Sequence, residues 1–203
     1  MEASHCTRIA LIGPPGTGKS TVSQALQVHL GSVDFLTGCV GEYARDYLVK
    51  FGSIEHIAIQ QGLGYKQKRR EDVQAVSYDL LISDSPVYFS YLYALMSADP
   101  HSRPQMKIVR DLYKWMVLDE LHRYDCVIYL PLQFDVVNDG VRDVNATATI
   151  EPVITGFLDA HKHLFKNYVE IRSDQTHPKK ILHDRVNLIE HYLRTVMDIP
   201  ALD

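Results

Sequence analysis

The sequence predicts an α/β fold in which a five-stranded parallel sheet lies between two layers of helices. Short apolar segments alternate with longer amphipathic segments along the chain, as strands do when helical crossovers connect them. The short segments are rich in Ile, Val, Leu and aromatic residues, which is typical of parallel strands buried on both faces. No repeat or linker interrupts the 203 residues. We therefore expect one domain that spans residues 1–203.

Each element has its own local signal in the sequence. The predicted strands are residues 8–12, 33–37, 79–83, 126–130 and 168–171, where the apolar runs are shortest and densest. The predicted helices fill the intervals at residues 19–30, 41–50, 54–76, 86–96, 104–122, 150–165 and 178–196. Pro86, Pro104 and Pro178 suit the first turn of three of these helices, because proline lacks the N–H that a first turn leaves unpaired.

Composition and charge argue against several classes of protein. The chain is 46% hydrophobic and 23% charged with a net charge of -4, without the basic excess of most nucleic-acid binders, so DNA is not the expected partner. The cysteines Cys6, Cys39 and Cys126 form no Cys-x-x-Cys pair, which indicates reduced thiols and a cytoplasmic location. No apolar run approaches the roughly 20 residues that cross a bilayer. No His-Glu-x-x-His pattern predicts zinc.

A phosphate-binding loop lies between the first strand and the first helix. Residues 13–20 read Gly-Pro-Pro-Gly-Thr-Gly-Lys-Ser and fit the P-loop pattern G-x-x-x-x-G-K-[ST]. Glycines let consecutive amides turn toward one anion, and the helix N-terminus adds its positive end. Lys19 would reach the β- and γ-phosphates of ATP, and the Ser20 hydroxyl would hold Mg²⁺. The predicted nucleotide contacts are Gly13, Pro14, Pro15, Gly16, Thr17, Gly18, Lys19, Ser20 and Thr21.

The strand at residues 79–83 separates the classes of P-loop protein. A GTPase normally carries an Asn-Lys-x-Asp segment, which is missing from this sequence, and an AAA-type ATPase normally carries an Asp-Glu pair after this strand. Here the strand is followed by Asp84-Ser85-Pro86, with one acid only. A lone aspartate suits Mg²⁺ coordination and positioning of an acceptor hydroxyl, as kinases require. The alternative for Asp84 is a helix N-cap before Pro86.

Residues 41–48 follow the second predicted strand and should face the same crevice, because ligands gather at the carboxyl ends of parallel strands. Glu42 could accept a proton from an acceptor hydroxyl, and the forked guanidinium of Arg45 could hold a sugar or phosphate oxygen. The alternative is a surface ion pair between these two residues, which are three positions apart.

A lid is predicted over residues 131–150, after the strand at 126–130. Arg142, in the segment Asp-Gly-Val-Arg-Asp at 139–143, could neutralise charge on the transferring phosphoryl group. A plain turn at Gly140 is the alternative.

Several further residues near the predicted crevice have two interpretations. Tyr88 could stack on an acceptor ring or pack in the core. Gln60 and Gln61 are expected on a solvated helix face, with contact to an acceptor ring as the alternative. The charged run at residues 66–72 is also expected on a solvated face, with attraction of phosphate as the alternative. Residues 172–174 follow the last strand and could border the adenine.

Together these segments resemble a known family. The P-loop, Glu-Tyr-Ala-Arg-Asp-Tyr at 42–47, the Asp84 strand end, and Tyr-Asp-Cys-Val-Ile at 124–128 followed by Asp-Gly-Val-Arg at 139–142 are similar to the ribosylnicotinamide kinase domain of bifunctional NAD-salvage proteins and to related P-loop kinases. Their order and approximate spacing agree over residues 8–191. The resemblance implies a P-loop nucleotide-kinase fold, ATP with Mg²⁺ as donor, and a nucleoside acceptor. It also implies functional roles for Glu42, Arg45 and Arg142.

The predicted function is therefore a small-molecule kinase. ATP would transfer its γ-phosphoryl group to a hydroxyl of ribosylnicotinamide or another nucleoside-like molecule. Lys19, Glu42, Asp84 and Arg142 are the predicted catalytic residues, Ser20 and Asp84 the metal ligands, and Glu42, Arg45, Asp84 and Tyr88 the acceptor contacts. An ATPase or switch that acts on a protein partner, and a kinase of a modified base in DNA, stay open as alternatives. The oligomeric state is left open as well.

Overall fold

The computed structural model describes residues 6–32, 34–134 and 144–200, and in this part of the chain five strands form one parallel sheet. The strands are β1 Thr7–Ile12, β2 Thr37–Val40, β3 Leu80–Ser83, β4 Cys126–Tyr129 and β5 Tyr168–Glu170. Their order across the sheet is β2-β3-β1-β4-β5, and every pairing is parallel. The predicted α/β class and strand number are confirmed.

Seven α-helices cover the sheet in the described residues. They are α1 Lys19–Leu30, α2 Tyr43–Phe51, α3 Ile59–Ala75, α4 Phe89–Ser97, α5 Arg103–Leu112, α6 Val144–His161 and α7 Pro178–Val196. α1 and α7 have the predicted bounds. α5 ends ten residues earlier than predicted, because the chain continues as a π-helix at Tyr113–Asp119 and a 3-10 helix at Leu121–Arg123. α6 begins six residues earlier than predicted.

The alternating side chains of β1 divide the core into two layers. Ile9 and Leu11 pack on one face of the sheet with apolar residues of α1 and α7, whereas Ala10 and Ile12 pack on the other face with residues of α4, α5 and α6. All four side chains are fully buried. No helix in the described ranges is long and apolar enough to cross a membrane.

The second strand lies four residues later than predicted. The sequence suggested residues 33–37, but β2 covers Thr37–Val40 and pairs with Leu80–Ser83. Leu36, one of the residues that suggested the strand, is half exposed before it. Glycine is uncommon inside strands, so Gly38 argues against a strand in the sequence. In the structure it is needed there, because an added Cβ would lie 2.5 Å from the Tyr78 ring. The shift places the end of β2 two residues before Glu42.

Candidate active site

Three loops at the carboxyl edge of the sheet meet because β2, β3 and β1 are neighbours in the strand order. β1 leads into the P-loop, β3 leads into Asp84, and β2 leads into Glu42. Such an edge is where ligands bind in parallel α/β sheets. The P-loop, Asp84 and Glu42 therefore lie at one crevice.

The P-loop owes its shape to three glycines that act in two ways. Gly16 and Gly18 have φ of 86°, a conformation that side chains disfavour, and α1 begins directly after Gly18. Gly13 is needed for space, since an added Cβ would lie 2.3 Å from the Leu130 carbonyl oxygen. Pro14 and Pro15 carry no N–H, so the amides that could bind phosphate begin at Gly16.

Polar side chains converge at the start of α1. The Lys19 ammonium donates to the carbonyl oxygens of Gly13 at 2.7 Å and Pro14 at 3.0 Å, so it lies over the loop. The Ser20 hydroxyl donates to Asp84 Oδ2 at 2.5 Å, and Arg45 Nη1 donates to the same hydroxyl oxygen at 3.4 Å. The contacts join the P-loop, the end of β3 and the first turn of α2.

An open cleft lies over this cluster, and we call it the P-loop cleft. Its lining includes most of the predicted site residues, with three residues of β3–α4 that were not predicted. The lining residues are Pro15, Gly16, Gly18, Lys19, Ser20, Thr21, Glu42, Arg45, Ser85, Phe89 and Tyr93. Gly13, Pro14 and Thr17 support the loop from behind. Thr17 is buried, and its hydroxyl donates to the Pro14 carbonyl oxygen at 3.0 Å.

Asp84 is 5% exposed and has one buried oxygen without a partner. Oδ2 accepts from Ser20, whereas Oδ1 has no hydrogen-bond partner among the described residues. The Asp84 amide continues the sheet by donating to the Val40 carbonyl oxygen at 3.0 Å. α4 begins only at Phe89, with Tyr88 at its N-cap. The N-cap interpretation of Asp84 is therefore wrong.

Glu42 is the N-cap residue of α2 and lies at the rim of the P-loop cleft. Burial of its carboxyl group raises the pKa of Glu42. Lys19 and Arg45 lower this pKa, and Asp84 raises it. The described residues show no ion pair between Glu42 and Arg45, which argues against the surface-pair interpretation. A carboxylate with a raised pKa in a cleft is a general-base candidate.

A second, narrower space adjoins the P-loop cleft, and we call it the side pocket. The two spaces share Glu42, Ser85, Phe89 and Tyr93. The remaining lining residues are Ala44, Gln60, Leu63, Gln67, Pro86 and Ser90. Glu42 therefore stands between the phosphate loop and the side pocket.

Gln60 was expected mainly on a solvated face, with contact to an acceptor ring as the alternative, but it is 6% exposed and lines the side pocket. Its side-chain amide forms no hydrogen bond with any described residue. Gln67, which also lines the side pocket, has a partner for each end of its side-chain amide. Its oxygen accepts from the Tyr43 amide at 2.9 Å, and its nitrogen donates to Glu71 at 3.2 Å. Gln60 therefore offers one donor and one acceptor to a ligand.

The buried carboxylate of Glu71 supports this pocket from behind. It is 1% exposed and accepts from Gln67, from Ser83 at 2.6 Å, from Tyr124 and from Arg123 Nε at 2.9 Å. Through Gln67 the network reaches the first turn of α2, and through Ser83 it reaches the residue before Asp84. Glu71 thus holds two of the three loops in place.

Some predicted site residues lie elsewhere. Tyr88 lines neither space; it is fully buried, and its ring packs against those of Tyr124, Phe157 and Phe165, so the core interpretation holds. Phe89 and Tyr93, one and five residues later, line both spaces instead. Arg142 lies outside the described residues. Ser173 is buried and bonded to Gln133.

A family model described as an AAA domain matches residues 8–175 of the chain. The chain belongs to the AAA domain family. The AAA-type ATPases share this family name, although the single acid at Asp84 argues against that class. Solved structures with the same fold include kinases. No curated protein matches the chain.

Three solved structures illustrate the fold of this AAA domain. A deoxyadenosine kinase from M. mycoides, with products dCMP and dCDP bound, has a TM-score of 0.68 at 16% identity, covering 94% of this chain and all of the kinase. The NadR protein in complex with NR has a TM-score of 0.75 at 14% identity, covering 98% of this chain but 53% of NadR. The chain thus spans about half the length of NadR.

Thymidylate kinase from Candida albicans has a TM-score of 0.62 at 13% identity, covering 98% of this chain and 96% of the kinase. The fold is therefore that of P-loop nucleoside and nucleotide kinases, and the predicted resemblance is confirmed.

Proposed function

We propose that the protein is an ATP-dependent kinase that transfers the γ-phosphoryl group to a hydroxyl of a nucleoside-like small molecule. One observation carries the proposal: the P-loop cleft and the side pocket share a wall that contains Glu42. Phosphoryl transfer requires donor and acceptor to meet in line, and the shared wall gives a place where they meet. The kinase folds of the solved relatives agree with this function.

The donor end is supported by the chemistry of the P-loop. Amides of Gly16 and Gly18, the start of α1 and the Lys19 ammonium surround one side of the P-loop cleft. This is a set of hydrogen-bond donors and positive charge that matches a triphosphate. Lys19 would move from the loop carbonyls to the β- and γ-phosphates.

The residues present fit a Mg²⁺ ion. The unpaired, buried Asp84 Oδ1 and the Ser20 hydroxyl are hard oxygen ligands beside the P-loop. The described residues contain no group of three or more His, Cys, Asp or Glu side chains that could hold a metal alone. Mg²⁺ needs no such group when substrate phosphates and water complete its shell. The ion would neutralise charge that develops on the phosphates.

The acceptor end is supported by Glu42, Arg45 and Gln60. Glu42 would receive the proton of the acceptor hydroxyl, a role that its raised pKa favours. Arg45 would hold an oxygen of the sugar or of the phosphates. Gln60 would bind the planar group of the acceptor by a paired donor and acceptor. Arg142 stays a prediction as the residue that stabilises the transferring group. The cytoplasmic location and the single domain also stay predictions.

A transfer screen tests the proposal. Radiolabelled ATP is incubated with the protein and with nucleosides, nucleoside monophosphates, ribosylnicotinamide or DNA, each with an acceptor-free control. We expect label on a nucleoside-like molecule. Acceptor-independent hydrolysis that a protein partner stimulates, or label on DNA, would contradict the proposal.

Replacing Glu42 with Gln separates the two ends of the site. The Glu42→Gln variant should lose acceptor phosphorylation and bind ATP with an affinity close to that of the wild type, because the P-loop is unchanged. A variant that transfers normally but loses ATP affinity would show that Glu42 belongs to the donor end.

A further inference from the structure

Arg185 of α7 is a fully buried cation directly behind the P-loop. It is 0% exposed. Its Nη1 donates to the Thr17 carbonyl oxygen at 2.7 Å, and its Nη2 donates to the Pro131 carbonyl oxygen and to Gln133 Oε1, the latter at 2.8 Å. The arginine therefore ties the phosphate loop to the segment that follows β4.

Arg185 has an unusual electrostatic setting. Among the described residues, no carboxylate forms an ion pair with it, and its Nε has no hydrogen-bond partner. Burial and the nearby Arg172 lower the pKa of Arg185 to about 10. Burying a cation without a counter-charge is costly, so a hydrocarbon side chain at this position would pack at a lower electrostatic cost.

The bond to Thr17 fixes a peptide group of the P-loop. In a planar trans peptide the carbonyl and the following N–H point in opposite directions. Because Arg185 holds the Thr17 carbonyl toward α7, the Gly18 N–H points away from α7. Gly18 is one of the residues that line the P-loop cleft.

The same helix also packs against Gly18 directly. An added Cβ at Gly18 would lie 2.1 Å from Leu182 Cδ2, one turn before Arg185. α7 thus contacts the peptide on its carbonyl oxygen and on its α-carbon. These two contacts restrict rotation of the peptide and so fix the direction of its N–H.

We propose that Arg185 is a positioning residue for the triphosphate: it fixes the Thr17–Gly18 peptide so that the Gly18 amide faces the phosphates, and it adds positive charge behind the loop. This inference rests on the proposed nucleotide binding. Its test uses phosphate binding, so it is independent of any acceptor.

The test compares Arg185→Lys with Arg194→Lys, a control on the same helix whose carboxylate partner is Glu190. A fluorescent ATP analogue is displaced by inorganic tripolyphosphate, which reports on the phosphate site alone. Lysine keeps the charge but loses the forked contact. We expect Arg185→Lys to bind tripolyphosphate about 10-fold or more weakly, as loss of a charged hydrogen bond predicts, and Arg194→Lys to bind as the wild type does.

An Arg185→Lys variant that is less heat-stable but binds tripolyphosphate within twofold of the wild type would overturn the inference, because Arg185 would then be structural only. If Arg185→Lys does not fold, Arg185→Met gives a second measurement, since it fills the space of the arginine and removes both the bond to Thr17 and the charge. We expect tripolyphosphate binding about 10-fold or more weaker, and affinity within twofold of the wild type would overturn the inference. Tripolyphosphate binding without transfer to any acceptor would reject the proposed kinase function alone.

Discussion

Two buried charges support the candidate active site from behind, and the fold compensates them differently. Glu71, behind the side pocket, is paired with Arg123 and accepts hydrogen bonds from Gln67, Ser83 and Tyr124. Arg185, behind the P-loop, has carbonyl and amide oxygens as its hydrogen-bond partners in the described residues and lies over the Phe134 ring, but it has no carboxylate partner there. The first region is close to neutral, whereas the second keeps a positive charge.

The difference matches what each region would bind. A neutral, fully hydrogen-bonded network fixes the geometry of the side pocket without adding a strong field, which suits a neutral acceptor. An unpaired cation fixes geometry and also adds positive potential, which suits a triphosphate. The buried Glu71–Arg123 pair and the buried Arg185 charge thus have different roles in the same site.

The largest expected effect comes from the donor region. Replacing Lys19 with Ala removes the ammonium that contacts the phosphates, and we expect transfer to fall by at least roughly 100-fold, as for other single groups that stabilise a transition state. Steady-state kinetics measure the loss, and circular dichroism checks the fold. Lys66→Ala, on the exposed face of α3, is the matched control. Wild-type turnover in folded Lys19→Ala would reject the donor site.

Stability measurements test whether the two buried charges differ as described. Arg123→Met leaves Glu71 as an unpaired buried carboxylate, so we expect a loss of about 3–5 kcal/mol in the free energy of unfolding. Arg185→Met leaves no buried carboxylate without its partner, so it should lower the free energy of unfolding less than Arg123→Met does. Urea unfolding measures both. The double variant Glu71→Leu/Arg123→Met should recover part of the loss. A larger loss for Arg185→Met would contradict the comparison.

The acceptor region is tested by a pair of adjacent glutamines. Gln60→Leu removes an amide from the side pocket, and we expect the KM of the acceptor to rise about 10-fold with little change in the KM of ATP. Gln61→Leu changes an exposed residue and should leave both values unchanged. Initial-rate kinetics with each substrate varied give the comparison. Equal effects of the two substitutions would place the acceptor elsewhere.

The smallest expected effect is a pH dependence from Glu42. Because the folded-state pKa of Glu42 lies above the ordinary value of 4.5, its ionisation destabilises the folded state. The wild type should therefore be slightly less stable than Glu42→Gln at pH 8, and the difference should vanish as pH falls through the folded pKa toward 4.5. Melting temperatures at several pH values measure it. A difference that grows toward acid would mean that the pKa is lowered instead.

The local part of the site was predictable from sequence. The P-loop, Asp84 and Glu42 each follow a strand within a few residues, so a strand assignment and a motif suffice to place them at one edge of the sheet. The strand predicted for β2 began four residues too early. Glu42 follows the strand in both cases, so its place at the carboxyl edge of the sheet was still predicted.

The supporting residues were not predicted, because their partners are distant in sequence. Arg185 and Thr17 are 168 positions apart, and Arg123 and Glu71 are 52 apart. A signal existed nonetheless: Ile181, Arg185, Ile189 and Leu193 recur every four residues on the buried face of α7. A charged residue inside such an apolar stripe indicates a buried charge.

α3 also has polar residues on its buried face. Its buried face includes Gln60, Gln67 and Glu71 beside Leu63 and Gly64, so polar residues occupy the positions where periodicity expects apolar ones. The charged run at residues 66–72 was interpreted as a solvated face because it mixes signs. Burial of Glu71 within that run depends on Arg123 and Tyr124, which only the tertiary fold brings near.

The most direct test of the account is an experimental structure with a non-hydrolysable ATP analogue and Mg²⁺. We expect the triphosphate on the amides of Gly16 and Gly18 with Lys19 at the β- and γ-phosphates, and the metal between the Ser20 hydroxyl and Asp84 Oδ1. Phosphates bound away from these amides, or a metal that does not contact Asp84, would contradict it.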